Sequence, residues 1–269
     1  LQRSLDNSDC AMELYKYHGA GNDFLMIDGR ESVEVSTSQI KALCDRHTGF
    51  GADGLILVRP SKVSSFRMEY FNSDGSTGMM CGNGGRCVCA FADALGLKGD
   101  SFEAADGIHS FEILSRNGGE KIVKIGMKDV DEVEKYSDGY FLDTGTRHFV
   151  KFVDDVSAVK IQCDGPAIRH DSRFAPIGVN ANFVSLDGDE ISIRTFEKGV
   201  EDETLACGTG IVASAMASHL HLGRGDGRWS YNVKAAISTL SVSFLFSEGK
   251  FSDVRLTGPT VCVGRIEPL

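Results

Sequence analysis

The sequence predicts an α/β fold of α+β character: two units, each a series of strands around one central helix, with a cleft between them. Two phrases lead to it, MMCGNGGRC (79–87) and LACGTGIVA (205–213), each placing a cysteine before a Gly-x-Gly turn that opens a helical stretch. Short strand-like runs bounded by glycine turns fill the chain around them. The 31 glycines against five prolines indicate tight turns and close backbone approaches rather than disorder.

Taken in order, ELYKYHGAGNDFLMIDG (13–29) reads as strand, glycine turn and strand, and STSQIKALCDRHTG (36–49) as a capped helix ending at glycine. GLILVRP and SFRMEYFN are two further strands, and the loop SDGSTGMM leads into the first cysteine turn, whose helix stops near Gly96. From Asp100 to Lys128 the pattern is strand-like. FLDTGTRHFVKFVDD (141–155) is strand-rich, and GVNANFVSLDGDEISIRTFEKG (178–199) supplies two strands before the second cysteine turn and helix. KAAISTLSVSFLF, FSDVRLTG and TVCVGRIEP close the chain as three strands. A faint echo aligns GAGNDFLMID (19–28) with GVNANFVSLD (178–187), and the strand pattern yields to acidic residues near 128–131, where the boundary between halves is expected.

With 269 residues, 42% hydrophobic and 25% charged, the chain has a globular composition and enough length for two ordinary domains. A net charge of −10 argues against nonspecific nucleic-acid binding, which needs a basic excess to neutralise phosphates. No apolar run approaches the length of a membrane span. Residues 1–11 lack the apolar stretch of a signal peptide and read as an appended remnant or disordered extension, so the expected compartment is the cytoplasm, with reduced thiols. The eight cysteines show no compact disulfide spacing.

A cysteine at a helix N-terminus sits among unpaired N–H groups at the positive end of the helix dipole, which lowers a thiol pKa from about 8.5 to roughly 3.5–7.5. Cys81 and Cys207 are therefore expected to be activated. Inverting an α-carbon requires a base on one face and an acid on the other, and a thiolate and a thiol meet that demand. The N–H groups of Gly82, Asn83, Gly208 and Thr209 would hold the substrate carboxylate and the charge that develops on it. Cys44, Cys163 and Cys262 read as small buried hydrophobes, as do Cys87 and Cys89 on the first helix. Metal binding by Cys81, Cys87 and Cys89 has poor tetrahedral spacing, and CGNGGR lacks the register of a dinucleotide fingerprint.

HGAGNDF (18–24), FNSDGS (71–76), MCGNGGRC (80–87), GVNANF (178–183) and EKGVEDETLACGTG (197–210) together resemble the diaminopimelate epimerase family, in family order and over the chain from Met12 onward. The resemblance implies epimerisation of LL-diaminopimelate to the meso form, a step toward lysine and peptidoglycan precursors, without pyridoxal phosphate, other cofactor or metal. It implies two pseudo-symmetric domains, each a mixed or antiparallel sheet wrapped around a central helix. The first would comprise 12–128 with 259–269, the returning last strand completing it, and the second 129–258. Cys81 and Cys207 would be the acid/base pair; Asn22, Asn72, Asn180, Glu197 and Lys198 would bind substrate with the helix-tip residues, and His148 would support the site. The implied partner is a small amino acid, with neither nucleic acid nor membrane, and a homodimer is left open.

Three positions depart from the family pattern. Thr146-Arg147-His148 stands where Asn-Pro-His is usual, Lys198 replaces an arginine that grips the far carboxylate, and Gly54 replaces a glutamine of some members. Lysine keeps the charge but loses the bidentate fork, which Arg147 is a candidate to replace. Two other functions are weighed beside epimerisation: a two-thiol racemase for another amino acid such as histidine, and a thiol redox protein, which no Cys-x-x-Cys motif supports.

Overall fold

Strand β1 (Leu14–Gly19) turns through Ala20 and Gly21 into β2 (Asn22–Asp28). Both turn residues take positive φ, 57° and 87°, which is the two-residue hairpin geometry that follows strand twist. These coordinates are a computed structural model and describe residues 13–267, so the extension expected over 1–11 lies outside the described residues. Helix α1 (Thr37–Cys44), closed by a Ser36–Gln39 capping box, carries the chain to β3 (Gly54–Arg59), parallel to β2. β4 (Phe66–Asn72) returns antiparallel, and α2 (Gly82–Ala94) crosses to β5 (Ser101–Ala104), followed by β6 (Gly107–Asn117) and β7 (Glu120–Gly126).

After β8 (Val133–Tyr136) the same order recurs: β9 (Gly139–Asp143), β10 (Arg147–Phe152), α3 (Ile161–Arg169), β11 (Asn180–Asp187), β12 (Glu190–Glu197), α4 (Gly208–His221), β14 (Gly227–Lys234), β15 (Thr239–Ser247) and β16 (Lys250–Ile266), with the short β13 (Asp202–Thr204) inserted against β12. Parallel pairs again lie at the two crossovers, β10–β11 and β12–β14. The topology equates β2 with β10, so the echo between 19–28 and 178–187 joins non-equivalent strands, β2 and β11. The spacing from the start of β2 to Cys81 matches that from the start of β10 to Cys207 to within one residue.

The two strands expected at the C-terminus are one. Up to Thr257, β16 pairs with β15; from Gly258 it pairs with β7, and from Val261 with β1. Strands β1 to β7 thus close through β16 into a ring. A single bridge, Val130 to Phe251, brings the segment before β8 back onto the same strand in the other half. Among the described residues the architecture is mixed α/β, mostly strands with four α-helices.

Both central helices are buried on all sides, α2 from Gly82 to Ala92 and α4 from Gly208 to His219, as befits helices each enclosed by strands. One apolar cluster spans both halves, including Phe24, Phe91, Ile211, Met216 and Leu256. No helix among the described residues is long and apolar enough to cross a membrane. Cys44, Cys87 and Cys89 are core residues as expected, but Cys163 is exposed on α3 and Cys262 is half-buried on β16, where alternate side chains face outward.

Candidate active site

The two thiols are the N-cap residues of the two buried helices, each held in extended conformation at φ −115° and −103°. The helix tips abut. A methyl added at Gly208 would stand 3.1 Å from the Gly82 Cα, and one at Gly82 would stand 3.4 Å from the Gly208 Cα. A Cβ at either position would crowd the facing backbone or press against it, and the two glycines leave that space free. Gly84 N–H donates to Cys81 Sγ at 3.4 Å, while the N–H groups of Gly82, Gly208 and Thr209 precede any intrahelical acceptor and remain free for a ligand.

Asn83 spans the two halves: its Nδ2 donates to the Ala206 carbonyl at 2.8 Å and its Oδ1 accepts from Arg86 Nη2 at 2.9 Å. Asn22 lies beside the first thiol, its Oδ1 3.5 Å from Cys81 Sγ and its Nδ2 donating to Asp53 Oδ2 at 2.6 Å. Glu197, at the end of β12, accepts from Thr204 Oγ1 at 2.8 Å and faces the Cys207 thiol. Asn180 is enclosed, donating to the Arg147 carbonyl at 2.9 Å and accepting from the Lys198 N–H at 2.8 Å. Asn72 donates to Ser76 Oγ at 3.0 Å, a contact internal to its own loop.

His148 is fully buried behind Cys207. Asn182 Nδ2 approaches its Nδ1 at 3.0 Å and also faces the Phe149 carbonyl at 3.3 Å, so the amide nitrogen is the donor and Nδ1 the acceptor. The ring proton therefore sits on Nε2, which lies 2.8 Å from Thr146 Oγ1 and 3.0 Å from Thr209 Oγ1. Thr209 Oγ1 in turn lies 3.4 Å from Cys207 Sγ. Burial holds His148 far below the usual imidazole range, to about 3, so it is neutral at physiological pH.

Arg147 and His148 are neighbours on a strand and point to opposite faces. The Arg147 guanidinium lies over the Phe141 ring, 5.1 Å from its centroid, and donates to the Phe174 carbonyl at 3.3 Å, away from the thiols. Lys198 is exposed just past β12.

The expectation that the helix termini depress both thiol pKa values is overturned. Burial pushes Cys81 up, against the opposing pull of the Gly84 N–H. Cys207 is likewise pushed up by burial first and then by the Glu197 carboxylate, and the Thr209 hydroxyl and Gly210 N–H only partly offset this. Burial also raises Glu197, opposed by the Thr204 hydroxyl. Helix-tip donors lower a thiol pKa where solvent still reaches the sulfur; here desolvation prevails.

Three residues near the thiols escaped the sequence reasoning. Arg86 is wholly buried on α2, and its signal was a lone charge directly before the apolar CVCAFA stretch. Asn182, which fixes the His148 tautomer, lay within the GVNANF phrase. Tyr70 occupies the space that Gly54 vacates, since a Cβ there would fall 2.6 Å from Tyr70 Cε2. The Tyr70 phenol is raised by burial and by the charges of Cys81, Asp53 and Glu197, which sets its hydroxyl among the site's ionisable groups.

Comparison with known proteins gives the fold and the family. The architecture is shared with a phenazine biosynthesis protein of the PhzF family from Bacillus anthracis, at TM-score 0.77 and 15% identity over 96% of this chain and 99% of that one. It is shared too with a hydroxyproline epimerase from Agrobacterium vitis, at TM-score 0.68 and 16% identity over 95% and 91%. These likenesses define the fold class as the mixed α/β fold shared with those proteins. The sequence profile described as diaminopimelate epimerase matches residues 14–130 and 140–243. The diaminopimelate epimerase of Flavobacterium psychrophilum is 42% identical over 92% of this chain and 96% of its own length. That of Chlorobaculum tepidum is 42% identical over 74% and 80%. The chain belongs to the diaminopimelate epimerase family.

Proposed function

We propose that the chain interconverts LL- and meso-diaminopimelate by moving one proton across the α-carbon between Cys81 and Cys207. The observation that carries this reading is the pair of thiols capping two buried helices whose first glycines touch. A thiolate on one face takes the α-proton: the C–H bond breaks, an S–H bond forms, and the electron pair passes to the substrate carboxylate as enediolate charge. The free N–H groups of Gly82, Gly208 and Thr209 stabilise that charge where it develops. The opposite thiol then gives its proton to the other face and becomes the thiolate, so each turnover exchanges the two roles.

The substrate would lie in the cleft between a unit of 12–128 with 259–269 and a unit of 129–258. Asn22 and Glu197 flank the thiols, and Asn72 and Asn180 complete the substrate-binding set. Lys198, exposed just past β12, is the cation that supports recognition of the far carboxylate, because Arg147 is engaged by Phe141 and Phe174.

The test is α-proton exchange in heavy water followed by NMR, with reduced protein and a panel of amino acids. Exchange and epimerisation confined to diaminopimelate is the expected result. Exchange with histidine or another monoamino acid in its place would assign the scaffold to a different racemase. No exchange with any amino acid would remove both.

A further inference from the structure

Asp53, the residue before β3, and Asp23 on β2 place two carboxylates side by side. One guanidinium clasps both: Arg46 Nη2 donates to Asp23 Oδ1 at 2.8 Å and to Asp53 Oδ1 at 2.6 Å. Lys16 adds a second cation, 2.6 Å from Asp23. The other oxygen of Asp53, Oδ2, accepts from the Asp23 N–H at 3.1 Å and from Asn22 Nδ2 at 2.6 Å. A carboxylate offers only acceptors, so the Asn22 amide turns its nitrogen to Asp53 and its oxygen the opposite way.

That oxygen faces the first thiol. Asn22 Oδ1 accepts from Cys81 Sγ at 3.5 Å and from Asn83 Nδ2 at 3.4 Å. Asn83 is itself fixed, because its Oδ1 is taken by Arg86 Nη2 and its Nδ2 also reaches the Ala206 carbonyl. The pair of amides is thus oriented from both ends and in agreement. With Asn22 turned over, two donors would face each other across the same gap. Cys81 Sγ also accepts from the Gly84 N–H at 3.4 Å, so a protonated sulfur has a partner for its lone pair and another for its hydrogen. The second thiol has a different neighbour: the Thr209 hydroxyl, 3.4 Å from Cys207 Sγ, can donate as well as accept.

We infer that Asp53 is a positioning residue that acts through Asn22, keeping an acceptor rather than a donor at Cys81 and so favouring the protonated sulfur on that side of the cleft. The inference rests on the two-thiol reading above and adds how one sulfur keeps the proton it must deliver. An amide nitrogen in the same place would favour the thiolate instead. The other charged and titratable groups that face Cys81 are Glu197 from β12, Arg86 from α2, Tyr70 from β4 and Cys207 from α4. Among the described residues, the Asn22 side-chain amide hydrogen-bonds to Asp53, Cys81 and Asn83 and to none of those four.

Asp53→Asn tests this because it leaves one oxygen for three donors, Arg46, the Asp23 N–H and Asn22. The bond from the charged donor is the strongest, so Arg46 keeps that oxygen, and Asn22 is released to turn its nitrogen to the sulfur. The measurement is alkylation of reduced, substrate-free protein with iodoacetamide across a range of pH, with each modified cysteine located by mass spectrometry. The midpoint of the Cys81 rate curve reports ionisation independently of how easily the reagent reaches the sulfur. Asp53→Asn should lower that midpoint by about one pH unit, a tenfold gain of thiolate at neutral pH. With Asn22→Ala already present, adding Asp53→Asn should move it no further. An unchanged midpoint in folded Asp53→Asn would overturn the assignment. So would an equal fall with Asn22→Ala present, because it would trace to the lost charge and not to the amide. If Asp53→Asn does not fold, Asn22→Ala decides. It keeps the Arg46 clasp and removes the oxygen, so the Cys81 midpoint should fall there too, and a midpoint that stays or rises overturns the inference. No substrate enters this titration, so its outcome is separate from that of the exchange assay.

Discussion

The side-chain amide of Asn83 donates to the main-chain carbonyl of Ala206 at 2.8 Å, joining the helix that begins at one thiol to the residue before the other. The two residues are 123 positions apart, and the bond is buried. It holds the two helix tips together, and in the proposed mechanism it would set the distance a proton crosses, because each thiol lies close to one end of it. Asn83→Ala would leave both the Ala206 carbonyl and the Arg86 Nη2 without this partner. A buried polar group stripped of its partner costs about 1–3 kcal/mol. Chemical denaturation should show a loss of that size, with a fall in turnover; unchanged stability and turnover would mean that the clamp is incidental.

Replacing either thiol alone should halt the reaction. A serine hydroxyl ionises far too weakly to act as base at neutral pH, and one remaining thiol serves only one face of the α-carbon. Cys81→Ser and Cys207→Ser should each lower epimerisation by at least about 100-fold, the lower range for a lost acid/base group. Steady-state epimerisation read by NMR checks this, and full activity in either variant would refute proton transfer between two thiols.

Acid should weaken the N-terminal half at a defined place. Burial raises the Asp23 carboxyl, but hydrogen bonds from Arg46 at 2.8 Å and from Lys16 outweigh it and bring the pKa from 3.8 to about 2. Because the folded value lies below the unfolded one, the stabilisation is present above pH 3.8 and is lost as pH falls through about 2. The shift corresponds to about 2 kcal/mol. Asp23→Asn should therefore be less stable near neutrality and show a shallower loss of stability in that acid window. A parallel pair of stability curves would show that Asp23 contributes nothing through its charge.

The parts of the fold legible from sequence are those with local signals. The cysteine turns mark both central helices because Gly-x-Gly after a polar cap is a strong helix start, and Ser36 with Gln39 marks α1 in the same way. Helix α3 was not legible because Gly165 and Pro166 sit inside it, two residues that ordinarily interrupt a helix. The continuity of β16 was hidden by Gly258-Pro259. There the strand leaves β15 and passes to β7, so the N–H that proline lacks is not needed on the vacated side. Asn22, Glu197 and the thiols were legible as motif residues, whereas Arg147 was misplaced because only strand alternation separates its face from that of His148. Tyr70 and Arg86 carry no local signal of proximity to the thiols. Tyr70 comes near through the packing space at Gly54 and Arg86 through the turn of α2.

The tautomer of His148 offers a check on the Cys207 side of the site. Asn182 donates to Nδ1, so Nε2 carries the proton, and burial keeps the ring neutral with a pKa of about 3. The Nε2–H then points at the Thr146 and Thr209 hydroxyls, leaving the Thr209 hydrogen free to face Cys207 Sγ at 3.4 Å. Nitrogen NMR of histidine-labelled protein at pH 6 should give the neutral, Nε2-protonated pattern for His148 when an exposed imidazole would already be mostly charged. Asn182→Leu removes the donor that fixes the tautomer while keeping a side chain of similar bulk. It should mix the two neutral forms, allow Nε2 to accept from Thr209, and slow the transfer through Cys207. A single Nε2-protonated form persisting in Asn182→Leu would show that the ring is held by Thr146 and Thr209 alone.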